Sequence, residues 1–251
     1  MKLHTLSSRA SARGLTLIEL VVVLAILVAL AGLIIGNFPS LLKKASGSTS
    51  ANTIQDIGRA MSIRYTTKGS YPSGFDNLAL ASLPTNALAQ LEVGVAISAT
   101  DAGVLTNLGL IQVVNLMPYP ATAPDATWSV SDVTNLVSIV GANVAQVTNT
   151  TLINKLVPNT AGYTGTLRIY VFGVGKVCTL VGGDSTLLEA PTRTGTSEQD
   201  ASSTFYQRYC VAFLVDGASA ATRKGRFIGV VAPTATGFEV TDDATKTYQT
   251  N

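Results

Sequence analysis

The chain has 251 residues, of which 47% are hydrophobic and only 13% charged, with 17 Lys and Arg against 15 Asp and Glu. Such a low charge content argues against a typical soluble enzyme, and a net charge of +2 leaves no basic surface of the kind that binds nucleic acid. The single histidine is His4, so a mature chain that begins after it would have none for acid–base catalysis or metal binding. We therefore expect no enzymatic activity and no nucleic-acid partner.

The first predicted element is a helix that begins in the apolar segment 15–35, where only Thr16 and Glu19 are polar. About 20 apolar residues in a helix can cross the hydrocarbon core of a bilayer, so we expect a transmembrane segment at 15–36. Cations precede this segment, which predicts a cytoplasmic N-terminus, an extracytoplasmic body and a single pass through the membrane.

A short basic leader, residues 1–14, precedes the apolar segment and ends at Gly14. A conventional secretory signal is cut after its apolar segment, and only a weak small-residue site follows this one. The alternative is a cut between Gly14 and Leu15, which would leave the apolar helix on the mature protein.

The stretch RGLTLIELVVVLAIL, residues 13–27, resembles the N-terminal signature of type IV prepilins and type II secretion pseudopilins. The resemblance implies that a prepilin peptidase cuts after Gly14 and methylates Leu15. The family usually has Phe at this position, and Leu resembles the type IVb pilins. The resemblance also implies that Glu19 pairs with the Leu15 amine of a neighbouring subunit, which offsets the cost of a carboxylate among apolar side chains. The partners that the resemblance implies for the chain are copies of the same chain or related pilins in a filament, and an inner-membrane assembly platform.

The helix is predicted to continue to residue 68, because apolar residues recur at helical spacing beyond the first segment. Pro39 should kink it, and Gly69 and Pro72 are signals that end it. The stretch GSYP, residues 69–72, resembles the exit from the long helix of pseudopilins. The expected organisation is therefore a leader at 1–14, a long helix at 15–68 and a globular domain at 69–251.

The body is predicted to combine helices and strands. Spacings of three and four between apolar residues favour helical or mixed structure at 76–116, and a Pro-rich connector follows at 118–127. Alternating patterns then predict strands at 127–133, 136–147, 166–174, 208–215 and 226–232. The predicted fold class is α+β and pilin-like: a long N-terminal helix, transmembrane in its first half, packed against an antiparallel sheet.

The cysteines and a few acids are the remaining candidates for chemistry. Cys178 and Cys210 are the only cysteines, and an extracytoplasmic location favours a disulfide between them, with two buried free thiols as the alternative. Asp216, Asp242 and Asp243 lack the spacing of a calcium loop, so we expect a solvated acidic turn and no cofactor, with calcium as the alternative.

The predicted function is that of a structural subunit of a type IV pilus or pilus-like filament, with a role in adhesion, motility or a related surface process. The subunit would leave the inner membrane for a pilus at the cell surface or for a periplasmic pseudopilus. One alternative is a pseudopilin of a type II secretion system. Another is a membrane-anchored enzyme or receptor that keeps its leader.

Overall fold

The structure is a computed structural model that describes residues 16–78, 85–115, 136–158, 166–182, 187–193, 206, 208–217, 222–234 and 236–240. For residues 33–44, 46 and 85 only the backbone is described. The chain divides into two compact units, Met1–Leu42 and Lys43–Asn251. The predicted leader, the connector 118–127 and the strand 127–133 lie outside the described residues.

A long N-terminal helix, α1, spans Leu17–Lys68 and has 52 residues. The helix ends at Gly69, whose φ of +69° belongs to the left-handed region that glycine adopts without strain. Its second part buries one face, since the spacing of three and four places four side chains together: Ile54, Ile57, Ala60 and Met61. These bounds are close to the predicted 15–68.

The predicted transmembrane segment 15–36 is contradicted. Within the part of the chain that the structure describes, no helix contains a stretch that is long and apolar enough to cross a membrane. Glu19 interrupts the apolar residues in the first turn of α1, and a charged side chain inside a bilayer is costly. The single-pass inner-membrane location, and the cellular locations derived from it, are contradicted by the same finding.

The body contains three further helices and nine strands among the described residues. The helices are α2 (Thr85–Leu88), α3 (Ala99–Asn107) and α4 (Thr150–Leu156). The strands are β1 (Phe75–Asp76), β2 (Leu91–Ala96), β3 (Gln112–Val114), β4 (Leu136–Ser138), β5 (Asn143–Val147), β6 (Arg168–Gly173), β7 (Cys210–Asp216), β8 (Lys224–Thr234) and β9 (Gly237–Glu239).

The strands form one sheet in the order β4-β3-β1-β6-β7-β8-β9, with β2 attached through β5. Two strands share one edge of β6: β5 pairs with it at Val171 and β1 pairs with it at Gly173. Because β1 and β3 run parallel, the sheet is mixed, and the predicted antiparallel sheet is wrong. The predicted pilin-like fold class is therefore wrong in its sheet and in its transmembrane half. Parallel pairing arises here because the chain makes a crossover through α2, β2 and α3 before it returns beside β1.

Each face of the sheet carries its own hydrophobic core. Alternate residues of β6 and β7, such as Phe172 and Phe213, pack in a core that includes the buried face of α1. The intervening residues, such as Val171 and Ala212, pack in a second core with Leu152 of α4. The strands β6 and β7 are apolar along most of their length because both of their faces are covered.

Three predicted strands of the body correspond to single strands of the structure, whereas a fourth is divided in two. The predicted strands 166–174, 208–215 and 226–232 correspond to β6, β7 and β8, and the last two form an antiparallel pair. The predicted strand 136–147 is two strands, because a turn around Gly141, with a φ of +77°, separates β4 from β5. The helix α4 and the short strands β1 and β9 were not predicted.

Candidate functional site

The start of α1 is organised by Thr16 and Glu19. The Thr16 backbone N–H donates to Glu19 Oε2 at 2.8 Å, and the Thr16 hydroxyl donates to the same oxygen at 3.0 Å. In return, the Glu19 N–H donates to Thr16 Oγ1 at 3.3 Å. This reciprocal arrangement is a capping box, which satisfies N–H groups that the first turn of a helix leaves without partners.

The capping box gives Glu19 a role within its own chain. The hydrogen bonds from the Thr16 backbone and from the Thr16 hydroxyl lower the pKa of the Glu19 carboxyl, so the carboxylate is charged at neutral pH. A negative charge in the first turn also complements the helix dipole. The signal for this role was visible as Thr-x-x-Glu before an apolar run, but sequence reasoning had treated Glu19 only as a partner for another subunit.

Gly14 and Leu15, the predicted cleavage and methylation positions, lie outside the described residues. The pairing of Glu19 with a Leu15 amine therefore stays a prediction.

The apolar part of α1 is exposed on every side. Its large apolar side chains have exposed fractions between 51% and 82%, and they are Leu17, Ile18, Leu20, Val21, Val22, Val23, Leu24, Ile26, Leu27, Val28 and Leu30. Five of these follow one another along the chain, so they point in all directions around the helix axis. A helix that is apolar all round requires cover on all faces, because water solvates such a surface poorly.

Replacing Thr16 by Ala should loosen the first turn of α1. The Thr16 hydroxyl both accepts from the Glu19 N–H and donates to the Glu19 carboxylate, and loss of such a cap costs about 1 kcal/mol of helix stability. We expect amide hydrogen exchange at Leu20 and Val21 to accelerate by about fivefold. Thr16→Ser keeps the hydroxyl and serves as the control. Equal exchange in the Ala and Ser variants would show that the hydroxyl contributes nothing.

The predicted disulfide between Cys178 and Cys210 is absent, and both cysteines are buried free thiols. Cys178 packs in the core on the α1 side of the sheet, whereas Cys210 packs in the core on the other face. The register of β7 decides this, because the side chains of successive strand residues point to opposite faces. Burial raises the pKa of Cys178 to about 12 and raises that of Cys210 well above its ordinary value, so neither thiol is a ready nucleophile.

A buried polar cluster lies where β1 meets the end of β6. Asp76 is 2% exposed, and the Tyr206 hydroxyl donates to its Oδ2 at 2.7 Å. Arg208, also 2% exposed, places its charge near this carboxylate. Burial raises the pKa of Asp76 to about 7, and the Tyr206 hydrogen bond and the Arg208 charge oppose the rise. Sequence reasoning missed this cluster because Asp76 lies 130 residues from Tyr206 along the chain.

A second buried carboxylate, Asp101, holds two arginines near the start of α3. Arg168 Nη1 lies 3.0 Å from Asp101 Oδ2, Arg223 Nη1 bonds Oδ1, and the Tyr170 hydroxyl donates to Oδ2 at 2.8 Å. Asp101 is also in the first turn of α3, where its backbone N–H donates to the capping Ser98 hydroxyl at 3.1 Å. The arrangement ties α3 to β6 and to the segment that precedes β8.

Of the three acids weighed as an alternative calcium site, only Asp216 lies among the described residues. Asp216 ends β7, and Asp242 and Asp243 lie outside the described residues. Among the residues that are described, no group of three or more His, Cys, Asp or Glu could hold a metal ion.

Comparison with known proteins adds no identification. No protein family, no curated protein and no solved structure matches the chain.

Proposed function

We propose that the chain is a structural subunit of a type IV pilus-like filament that polymerises through the apolar part of α1 after cleavage between Gly14 and Leu15. The observation that supports this proposal most directly is the exposed apolar surface of residues 17–30. The resemblance of residues 13–27 to the prepilin signature supports the cleavage position.

The distribution of the exposed side chains favours several neighbours over one. A single partner covers one stripe of a helix, as in a two-stranded coiled coil. Here Val21, Val22, Val23 and Leu24 are all more than half exposed, so one partner would leave apolar surface in water. Several copies of the same helix around a common axis would bury all of it, and each buried CH₂ group contributes about 0.8 kcal/mol. A bundle of this kind is the interior of a helical filament.

Glu19 would have two successive partners in this proposal. In the isolated subunit it caps its own helix through Thr16. In the filament its carboxylate would face the new α-amine of Leu15 in a neighbour, and that pair would be less screened because water is excluded.

The processing step is tested by mass spectrometry of the N-terminal peptide of assembled filaments, collected by sedimentation. The expected peptide begins at methylated Leu15. Gly14→Val should leave the leader attached, because a bulky side chain would obstruct the protease at the cut, whereas Gly14→Ala is the conservative comparison. A chain that keeps residues 1–14 in the assembled material would refute the proposal.

The role of Glu19 is tested by three variants that separate its charge from its cap. Glu19→Gln retains a side chain that can complete a capping box but removes the charge, Glu19→Ala removes both, and Thr16→Val removes only the hydroxyl. If the charge pairs with a neighbour's amine, both Glu19 variants should lose at least about tenfold in sedimentable filament while Thr16→Val assembles. Normal assembly of Glu19→Gln would show that the charge is not needed. Processed subunits that yield only short assemblies would favour a pseudopilin.

A further inference from the structure

The Asp76 cluster joins three separate segments of the chain. Asp76 belongs to β1, Gly173 and Gly175 come from the end of β6 and the loop that follows it, and Tyr206 precedes β7. The two glycines lie close to the side chains of Tyr206 and Asp76. A side chain at Gly173 would collide with the Tyr206 hydroxyl, and one at Gly175 would collide with both oxygens of the Asp76 carboxyl. The tight fit around the carboxyl leaves its charged form with few ways to gain solvation.

The groups that face the carboxyl do not fully compensate its charge. Tyr206 supplies one hydrogen bond, and Arg208 acts on Asp76 through its charge. Two of its guanidinium nitrogens, Nε and Nη1, are buried without a hydrogen-bond partner in the described structure. Among the described residues, the other titratable neighbours are Cys178 and Cys210, whose buried thiols add no positive charge. A charged Asp76 is therefore held by one hydrogen bond and one imperfectly engaged cation.

The backbone around the cluster connects it to the sheet. Val174 donates its N–H to the Tyr209 carbonyl at 2.8 Å, immediately beyond the last paired residues of β6 and β7. On the other side of Asp76, Leu78 is fully buried with a φ of +57°, a strained conformation for a residue with a branched side chain. The cluster thus lies between the strained residue Leu78 and the end of the β6–β7 strand pair.

We infer that Asp76, Tyr206 and Arg208 form a proton-dependent latch that holds Tyr206, Arg208 and Tyr209 against the end of β6 and loosens when Asp76 loses its proton. In the closed state a protonated Asp76 sits in its buried site as a neutral group, and its Oδ2 accepts from the Tyr206 hydroxyl. Loss of the proton places a charge in that site, and opening the latch restores water to the carboxylate.

The sign and the pH range follow from the two protonation equilibria. The pKa of Asp76 is about 7 in the closed state against an ordinary value of 3.8, so the closed state binds the proton more tightly. The advantage of the closed state is complete below the ordinary pKa and is lost as the pH rises through about 7. Between pH 6 and pH 8 the ratio of closed to open molecules should fall by about tenfold.

The test is amide hydrogen exchange of the full-length chain at pH 6 and pH 8, corrected for intrinsic exchange rates. The reporter is the Val174 amide, which bonds the Tyr209 carbonyl. In the wild-type protein its protection factor should fall by about tenfold between the two pH values. In Asp76→Asn, which has no proton to lose, it should stay constant. Tyr206→Phe should reduce protection at pH 6 by about 2- to 10-fold, since one buried hydrogen bond is lost.

Two controls, a variant on α1 and an amide elsewhere in the sheet, test whether the pH dependence is specific to the Asp76 cluster. Asp56→Asn changes an exposed carboxylate in α1 and should leave the tenfold dependence intact. The Leu214 amide of β7, away from the cluster, should show no comparable change. Equal wild-type protection of Val174 at both pH values, or the same loss at Leu214, would overturn the local latch. So would the same pH dependence in Asp76→Asn.

Discussion

Replacing Asp101 by Asn should lower the free energy of unfolding by about 3–5 kcal/mol. The Asp101 carboxylate is 1% exposed and is the shared acceptor of Arg168 and Arg223, whose side chains are only 28% and 15% exposed. An amide cannot balance their charges, so two guanidinium groups would remain close together with little access to water. Urea denaturation at pH 7, monitored by circular dichroism, measures the loss.

A matched control for this prediction lies on α1. Asp56 pairs with Arg59 at 3.8 Å, and the two side chains are 64% and 74% exposed. Asp56→Asn should therefore change the free energy of unfolding by no more than about 0.5 kcal/mol. Adding Arg223→Met to the Asp101→Asn variant should recover part of its stability, because one of the two unbalanced charges is removed. A loss below about 1 kcal/mol in Asp101→Asn would mean that water screens this cluster.

Replacing Phe213 by Ala should cost about 3–5 kcal/mol, because this ring is the centre of the core on the α1 side of the sheet. Phe213 is 0% exposed. Its ring centroid lies 5.5 Å from that of Tyr71, 6.2 Å from Phe75, 6.1 Å from Phe172 and 5.8 Å from Phe227. Truncation would leave a cavity among four rings and remove their edge-to-face contacts.

The Phe213 prediction is checked by the same urea titrations. Phe213→Leu should lose less than the Ala variant, since it fills part of the cavity. Leu188→Ala removes an apolar side chain that is 84% exposed and should stay within about 0.5 kcal/mol of the wild-type protein. A Phe213→Ala variant that is as stable as Leu188→Ala would contradict the packing of the core described above.

Local sequence signals were most reliable for the longer strands of the sheet. The strands β6, β7 and β8 were predicted from alternating patterns over seven to nine residues, and these strands are consecutive neighbours in the sheet. The strand β1 was not predicted because it has two residues, too few for a periodic pattern. The break between β4 and β5 depends on one glycine, and the alternating apolar residues on both sides of it concealed the turn.

The candidate functional residues also fall into two groups: those that are close along the chain and those that only folding brings together. Thr16 and Glu19 are three residues apart, so their capping box follows from spacing alone. Asp76 and Tyr206 are 130 residues apart, and Asp101 lies 67 residues from Arg168 and 122 from Arg223. No local pattern relates such residues. The pairing of β1 with β6 brings Asp76 towards Tyr206, and the packing of α3 beside β6 and the start of β8 brings Asp101 to its two arginines.

The sequence by itself determined the long helix that ends at Gly69, the capping signal at its start and the three central strands. Each of these depends on contacts between residues that are close along the chain. Tertiary structure decided that β1 and β3 run parallel, that Asp76 and Asp101 are buried, and that Cys178 and Cys210 lie in different cores. The physical reason is that strand partner and register select the face to which each side chain points, and a shift of one residue reverses every face.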